Sequence, residues 1–242
     1  MLALRKRRRS AGRVPHGRDQ AEQPSRLTER AALARPQGAV PAIVVSKILS
    51  EARHGKCRQV RVGQQGATSV EPVADRGGLQ PMIDAISSAI AAGKASPAAG
   101  VAAAMAPFLG DPSLLAGRSC PSAPDTYVRH MIHDDAAGGW SLAALVWRPG
   151  HMSPMHAHRA WCAIGFYRGS LTEVGYRLPE GGGAPVPNHT ALRRSGDTSH
   201  TGPDPGAIHR LVNIGSETAI SLHVYGLPFD RLGTDLNTVY AD

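Results

Sequence analysis

Cysteine is scarce in this 242-residue chain: Cys57, Cys120 and Cys162 are all there is. They show neither CxxC spacing nor the density of a disulfide framework, which excludes a stapled secreted scaffold and fits a reducing compartment. Long apolar runs are also missing, and none approaches the ~20 residues a membrane-spanning helix needs. The start of the chain is basic but lacks an uninterrupted apolar stretch before a small-residue cleavage site, so no secretory signal is expected and the cytoplasm is the expected location. A cationic surplus is absent from most of the sequence despite the net charge of +8. Residues 1–76 hold 16 Lys+Arg against 6 Asp+Glu, whereas residues 77–242 hold 11 against 13. The second part therefore offers no general attraction for polyanions, and nucleic acid is not the expected partner.

What is present divides the chain in two. Residues 1–76 read as a basic, largely disordered or irregular extension, because residues 1–40 are too polar and charged to offset chain entropy by burial. An arginine-rich, acid-poor start is also compatible with an organellar transit peptide or a nucleic-acid-binding arm. The short apolar run Ala42 to Ser50 suits one helical turn or a strand. Residues 77–242 read as one domain. The stretch Leu79 to Ala92 repeats apolar residues at Met82, Ile83, Ile86 and Ile90, the period of an amphipathic helix. A second helix is expected from Pro97 to Leu109, with Ser96 as N-cap and Gly110 just past its end. From Thr126 onward come short β-prone runs, TYVRHMI, WSLAALVW, WCAIGFY, LTEVGYRL, IHRLVNI and AISLHVYGL, separated by Gly, Pro and Asp. Six or more such strands predict an all-β sandwich or barrel, with the two helices packed on one flank.

Within that region GHMSPMHAHRAWCAIGFYRG contains His156 and His158, two residues apart. In a strand this spacing turns both imidazoles to the same face, where they can meet one metal. Ser221, His223 and Tyr225 alternate in the same way in AISLHVYGLPFD. His209, flanked by Ile208 and Leu211, is by itself of a kind that is more often a hydrogen-bonded structural histidine than a ligand.

The frame Gly150-x5-His156-x-His158-x3-Cys162-x6-Gly169 resembles the first signature of the cupin superfamily, with Cys162 where most cupins carry a glutamate ligand. Gly206-x2-His209-x3-Asn213 resembles the second, although Asp204 stands in place of the usual proline. Three histidines with cysteine in place of the acid are similar to the thiol dioxygenases typified by cysteine dioxygenase, and SLHVY resembles their Ser-His-Tyr relay. The similarity runs from about Tyr127 to Tyr240. It implies a mainly β fold, a cupin double-stranded β-helix barrel with N-terminal flanking helices.

The resemblance also implies roles. His156, His158 and His209 would hold Fe(2+). Tyr225 would place its hydroxyl beside substrate and oxygen, His223 would orient that hydroxyl, and Ser221 would fix the histidine tautomer. Arg129, in the tyrosine-x-arginine pair of DTYVRHMI, would hold the substrate carboxylate, a task suited to a guanidinium because it stays charged and binds bidentately. Cys162 shares parity with His156 and His158. In mammalian members a cysteine at this place forms a thioether with the relay tyrosine, and many bacterial members have glycine. Ala157 between the ligands, the shorter His158-to-Cys162 spacing and Gly226-Leu227 after the tyrosine depart from mammalian members. His130, His133, His151, His189 and His200 match no role and read as surface or loop residues.

The expected activity is that of an oxidoreductase adding both atoms of O2 to a small thiol carboxylate, L-cysteine going to cysteine sulfinic acid. The alternatives are a 3-mercaptopropionate dioxygenase and, from another class, a non-catalytic metal-binding cupin with a regulatory role. The expected partners are thiol and O2, with no membrane, in a monomer or small homo-oligomer.

Overall fold

The computed structural model describes residues 79–93 and 96–241. The extension over 1–76, the run Ala42 to Ser50 and Cys57 lie outside them. The first described element, α1 (Leu79–Ala92), buries Leu79, Met82, Ile83 and Ile86; of the predicted apolar repeat, Met82, Ile83 and Ile86 are buried and Ile90 is half-buried. It turns at Gly93, where a Cβ would come within 2.7 Å of the Pro97 backbone.

The second helix differs from its expected form. Helix α2 spans only Ala98–Met105 and continues as a tight 3-10 turn over Ala106–Phe108. Pro107 has no N–H to donate to the preceding turn, which stops the regular i to i−4 ladder. Ser96 is not its cap. Pro97 occupies that position with its backbone already helical, makes no side-chain cap, and accepts the first helical bond from Val101 N–H at 2.8 Å.

Ten strands follow: β1 (Val128–Asp135), β2 (Trp140–Trp147), β3 (Met155–His158), β4 (Cys162–Arg168), β5 (Ser170–Arg177), β6 (Val186–Arg194), β7 (Thr198–Thr201), β8 (Ile208–Val212), β9 (Ala219–Tyr225) and β10 (Asn237–Tyr240). They form two five-stranded antiparallel sheets, in the orders β1-β2-β9-β4-β7 and β10-β3-β8-β5-β6. This is the mainly β cupin double-stranded β-helix barrel expected from the sequence. All six predicted runs are strands. The strands the sequence did not announce are β6, a proline-containing edge strand with much of its length exposed, and the four-residue β7 and β10.

Alternation sorts the side chains into layers. On the first sheet, Trp140, Leu142, Ala144, Ala163, Tyr167, Leu222 and Val224 face outward and pack with α1 and α2. Gly165 lets α2 approach, since a Cβ there would lie 2.7 Å from Leu109 and 2.9 Å from Met105. Ala143, Leu145, Trp147, Cys162, Ile164, Phe166 and Tyr225 face inward, with Leu171 and Leu211 of the second sheet. Because both faces are covered, β2 is buried along its whole length. Met155, Ala157, Val174, Tyr176 and Ile208 form the outer layer of the second sheet, leaving their alternates to line the interior.

Candidate metal centre

Strand register determines which side chains meet. His156 on β3 is directly paired with His209 on β8, and directly opposed residues of an antiparallel pair project to the same face. His158, two residues along β3, joins them. The three ring centroids are 4.7–5.1 Å apart, and one ligand atom from each lies within 4.8 Å of the others. All three are buried.

Hydrogen bonds on the far side of two rings determine which nitrogens face the centre. His156 Nδ1 lies 2.9 Å from the carbonyl of Pro154, which can only accept, so the proton sits on Nδ1 and the Nε2 lone pair is free. His209 Nδ1 lies 3.0 Å from Glu173 Oε1, with the same consequence. The Nε2 atoms of His158 and His209 are 3.0 Å apart. Two nitrogens bound at about 2.1 Å to one cation at right angles are separated by about 3.0 Å, so this pair fits a shared metal. His158 Nδ1 is enclosed without a partner. Burial, reinforced by neighbouring His209 and the Arg129 and Arg210 cations, pushes His156 down to about 3. Burial together with the other imidazoles also pushes His158 well below the usual histidine range. Both are neutral at pH 7, the form that binds metal.

The facing sheet supplies polar groups. Ser221, His223 and Tyr225 share the inward face of β9, paired with Leu145, Ala143 and Ser141 of β2 and with Phe166, Ile164 and Cys162 of β4. Trp147 Nε1–H donates to Ser221 Oγ at 2.9 Å, and Ser221 Oγ lies 2.8 Å from His223 Nε2. With one Ser221 lone pair taken by the indole, its hydroxyl proton is available to His223 Nε2. His223 Nδ1, on the other side of the ring, is enclosed and unpartnered. Burial and nearby Arg129 keep His223 neutral by pushing it far down. His223 and Tyr225 stack with centroids 5.6 Å apart and share no hydrogen bond. The Tyr225 ring lies against Arg129 instead, with the guanidinium carbon 5.6 Å from the ring centroid. Burial outweighs the Arg129 charge and raises Tyr225 well above the usual phenol range. Burial likewise raises the Cys162 thiol.

Arg129 sits on β1 opposite Leu145 and is half-buried, with its Nε fully enclosed and unpartnered. Burial opposes its charge, but the phenols of Tyr225 and Tyr127 favour it, and the guanidinium stays protonated. Among the described residues it has no carboxylate partner. A small pocket joins Arg129 and Tyr225 to the three histidines. Tyr127, stacked on Trp147 at 4.3 Å, forms part of its wall.

Sequence reasoning missed several residues here. Glu173, Trp147 and Asn237 all reach the site, Asn237 through its pairing with His158. Glu173 carried a signal, being an acid in phase with the inward Leu171. Asn213 is a tie rather than a ligand, its amide donating to the carbonyls of Trp147 and Glu217 at 2.8 Å each. Of the unmatched histidines, His151 is on the β2–β3 loop but is buried, not a surface residue. It accepts the Arg148 N–H at 3.0 Å and contacts the Pro124 carbonyl at 3.2 Å, which pins the loop.

A family model described as "Cysteine dioxygenase type I" matches residues 78–234. Cysteine dioxygenase type 1 of Homo sapiens is 31% identical over 107 residues, covering 43% of this chain and 52% of that protein. The Rattus norvegicus protein of the same name is 29% identical over 111 residues, with the same coverage. The chain thus spans about half the length of the curated relatives it matches. Among solved structures, an oxalate decarboxylase formate complex from Lactobacillus farciminis is 21% identical, with a TM-score of 0.36 over 50% of this chain and 33% of that one. No helix among the described residues is long and apolar enough to cross a membrane.

Proposed function

Because the chain belongs to the cysteine dioxygenase type I family, we propose that it adds both atoms of O2 to the sulfur of a small thiol carboxylate, with L-cysteine giving cysteine sulfinic acid. The observation that carries this reading is the pairing of two unsatisfied demands in one pocket. Three imidazoles converge on one side, and on the other a protonated Arg129 has no carboxylate to neutralise it. A cation partly withdrawn from water with no anion beside it favours a ligand that brings a carboxylate.

The donor set fits ferrous iron, with His156, His158 and His209 as ligands. It contains no anionic ligand, so the cation's full charge remains to attract a thiolate, and open positions remain for substrate and oxygen. Bound iron would supply the one-electron chemistry that O2 requires. The protein's own work is positional. Arg129 clamps the carboxylate and thereby sets the sulfur's distance from the imidazoles. Tyr225, kept protonated by burial, donates a hydrogen bond towards the reacting atoms without giving up its proton. The Trp147–Ser221–His223 chain holds the imidazole against which Tyr225 stacks. Leu145, Leu211 and Leu236 keep the walls apolar.

Cys162 lies directly across from Tyr225, where side chains on one face approach to about 5 Å at Cβ. A thioether between them is part of this proposal, formed with loss of one hydrogen from the thiol and one from the phenol ring to O2.

Oxygen consumption by the iron-loaded protein over L-cysteine, 3-mercaptopropionate and cysteamine tests the reading. L-cysteine is expected to be fastest and cysteamine, which lacks the carboxylate, slowest. His156→Ala should lose both iron and oxygen uptake. No uptake with any thiol, or uptake retained by His156→Ala, would overturn the assignment.

A further inference from the structure

Glu173 has no place in the ligand set or in the Ser221–His223–Tyr225 face, yet its carboxylate has more fixed partners than any other acid near the pocket. On β5 it faces inward, opposite Leu211 and next to the Gly175–His209 pair. One oxygen, Oε1, lies 3.0 Å from His209 Nδ1 and accepts the Ser199 hydroxyl at 3.0 Å. The other, Oε2, accepts two nitrogens of Arg193 at 2.8 and 2.7 Å. A carboxylate has about four lone-pair sites, and here four donors from β6, β7 and β8 meet them. Its orientation is therefore fixed from three strands, and rotation would break at least one charge-assisted bond.

The three imidazoles are not treated alike. His156 is backed by a neutral peptide carbonyl, and His158 Nδ1 has no partner. His209 alone is backed by a carboxylate. A carboxylate only accepts, so it keeps the His209 proton on Nδ1 and turns the Nε2 lone pair towards His156 and His158. It also brings a negative charge to within one imidazole ring of the point where the three histidines converge.

We propose that Glu173, held by Arg193 and Ser199, is a positioning residue of the metal centre: it fixes the His209 tautomer and moves the missing anionic ligand one ring outward. This rests on the reading of His156, His158 and His209 as the metal ligands. Partners of this kind commonly change metal affinity 10- to 100-fold when removed.

The test uses cobalt(II), which does not turn over, in chelator competition with the full chain. Glu173→Gln keeps an accepting oxygen but no charge, and about 10-fold weaker cobalt binding is expected; Glu173→Ala keeps neither, and the loss approaches 100-fold. In ¹⁵N-histidine spectra of the metal-free protein, His209 should carry its proton on Nδ1, and Glu173→Ala should mix the tautomers. Cobalt binding within threefold of the parent in folded Glu173→Ala would overturn the proposal. So would a His209 proton found on Nε2 in the parent chain, a result that needs no variant to fold. If His209→Ala binds cobalt as tightly as the parent, the ligand assignment itself fails and this proposal with it.

Discussion

Arg129→Met isolates the electrostatic half of the pocket. Methionine approximates the arginine stem, so packing against Tyr225 and Leu145 is largely kept while the charge is lost. Hydrogen bonds to charged groups contribute about 1.5–3 kcal/mol each, and two bonds to one carboxylate are not fully additive. Because Arg129 is half-buried rather than sealed, about 2–4 kcal/mol is a reasonable range for the clamp. That corresponds to about a 30- to 900-fold fall in kcat/KM for L-cysteine. The comparison that carries the argument is with cysteamine, which has the thiol and amine but no carboxylate. Its kcat/KM should change little, so the cysteine preference of the parent should collapse in the variant, mainly through KM. Iron content, measured on the same samples, should not move. If cysteamine turnover falls as far as cysteine turnover, Arg129 supports the site in some other way and the carboxylate argument is wrong.

Intact mass of the iron-loaded, oxygen-exposed protein should lie about two daltons below the sequence mass if Cys162 and Tyr225 have joined, and Cys162→Ser should restore the full value. Stability of the metal-free protein should fall with acid in two stages. His156, depressed to about 3, stabilises above pH ~6.5 and loses that contribution as pH drops. Burial would raise Glu173, but His209 and Arg193 hold it down to about 2, so its contribution is present above pH ~4.5 and is lost towards pH 2. That second stage corresponds to about 3 kcal/mol, and urea midpoints against pH should show it in the parent but not in Glu173→Gln; parallel curves would contradict it. Gly165→Val should destabilise by about 1–3 kcal/mol, because its side chain meets Leu109 and Met105 beneath α2. A thermal melt unchanged from the parent would show that the helix yields more readily than this packing suggests.

Parity made much of the site readable from sequence. His156 and His158 had to share a face in any strand, as did Ser221, His223 and Tyr225. What parity could not supply was register. The pairings His156 with His209 and Cys162 with Tyr225 join residues far apart in the chain and depend on closure of both sheets. Glu173 was hidden for a related reason: its partners come from β6 and β7, strands too polar or too short to announce themselves. His223, expected to orient the Tyr225 hydroxyl, stacks against the Tyr225 ring, and Arg129 lies against that ring as well. The second helix stops short of its expected end at Leu109 because Pro107 lacks the N–H that would continue the regular ladder.

The joint between β3 and β8 is a single paired position, His156 with His209, followed by the lone bridge Met152 with Val212. Although backbone bonds from Ser153 to Leu211 and from Asn213 to His151 continue the seam beside β3, the paired strand positions of the second sheet are thus fewest where its imidazoles gather. A cation bridging them would act as a rivet across that seam, and its departure would register first as faster amide exchange along β3 while the helix-backed sheet opposite stayed closed.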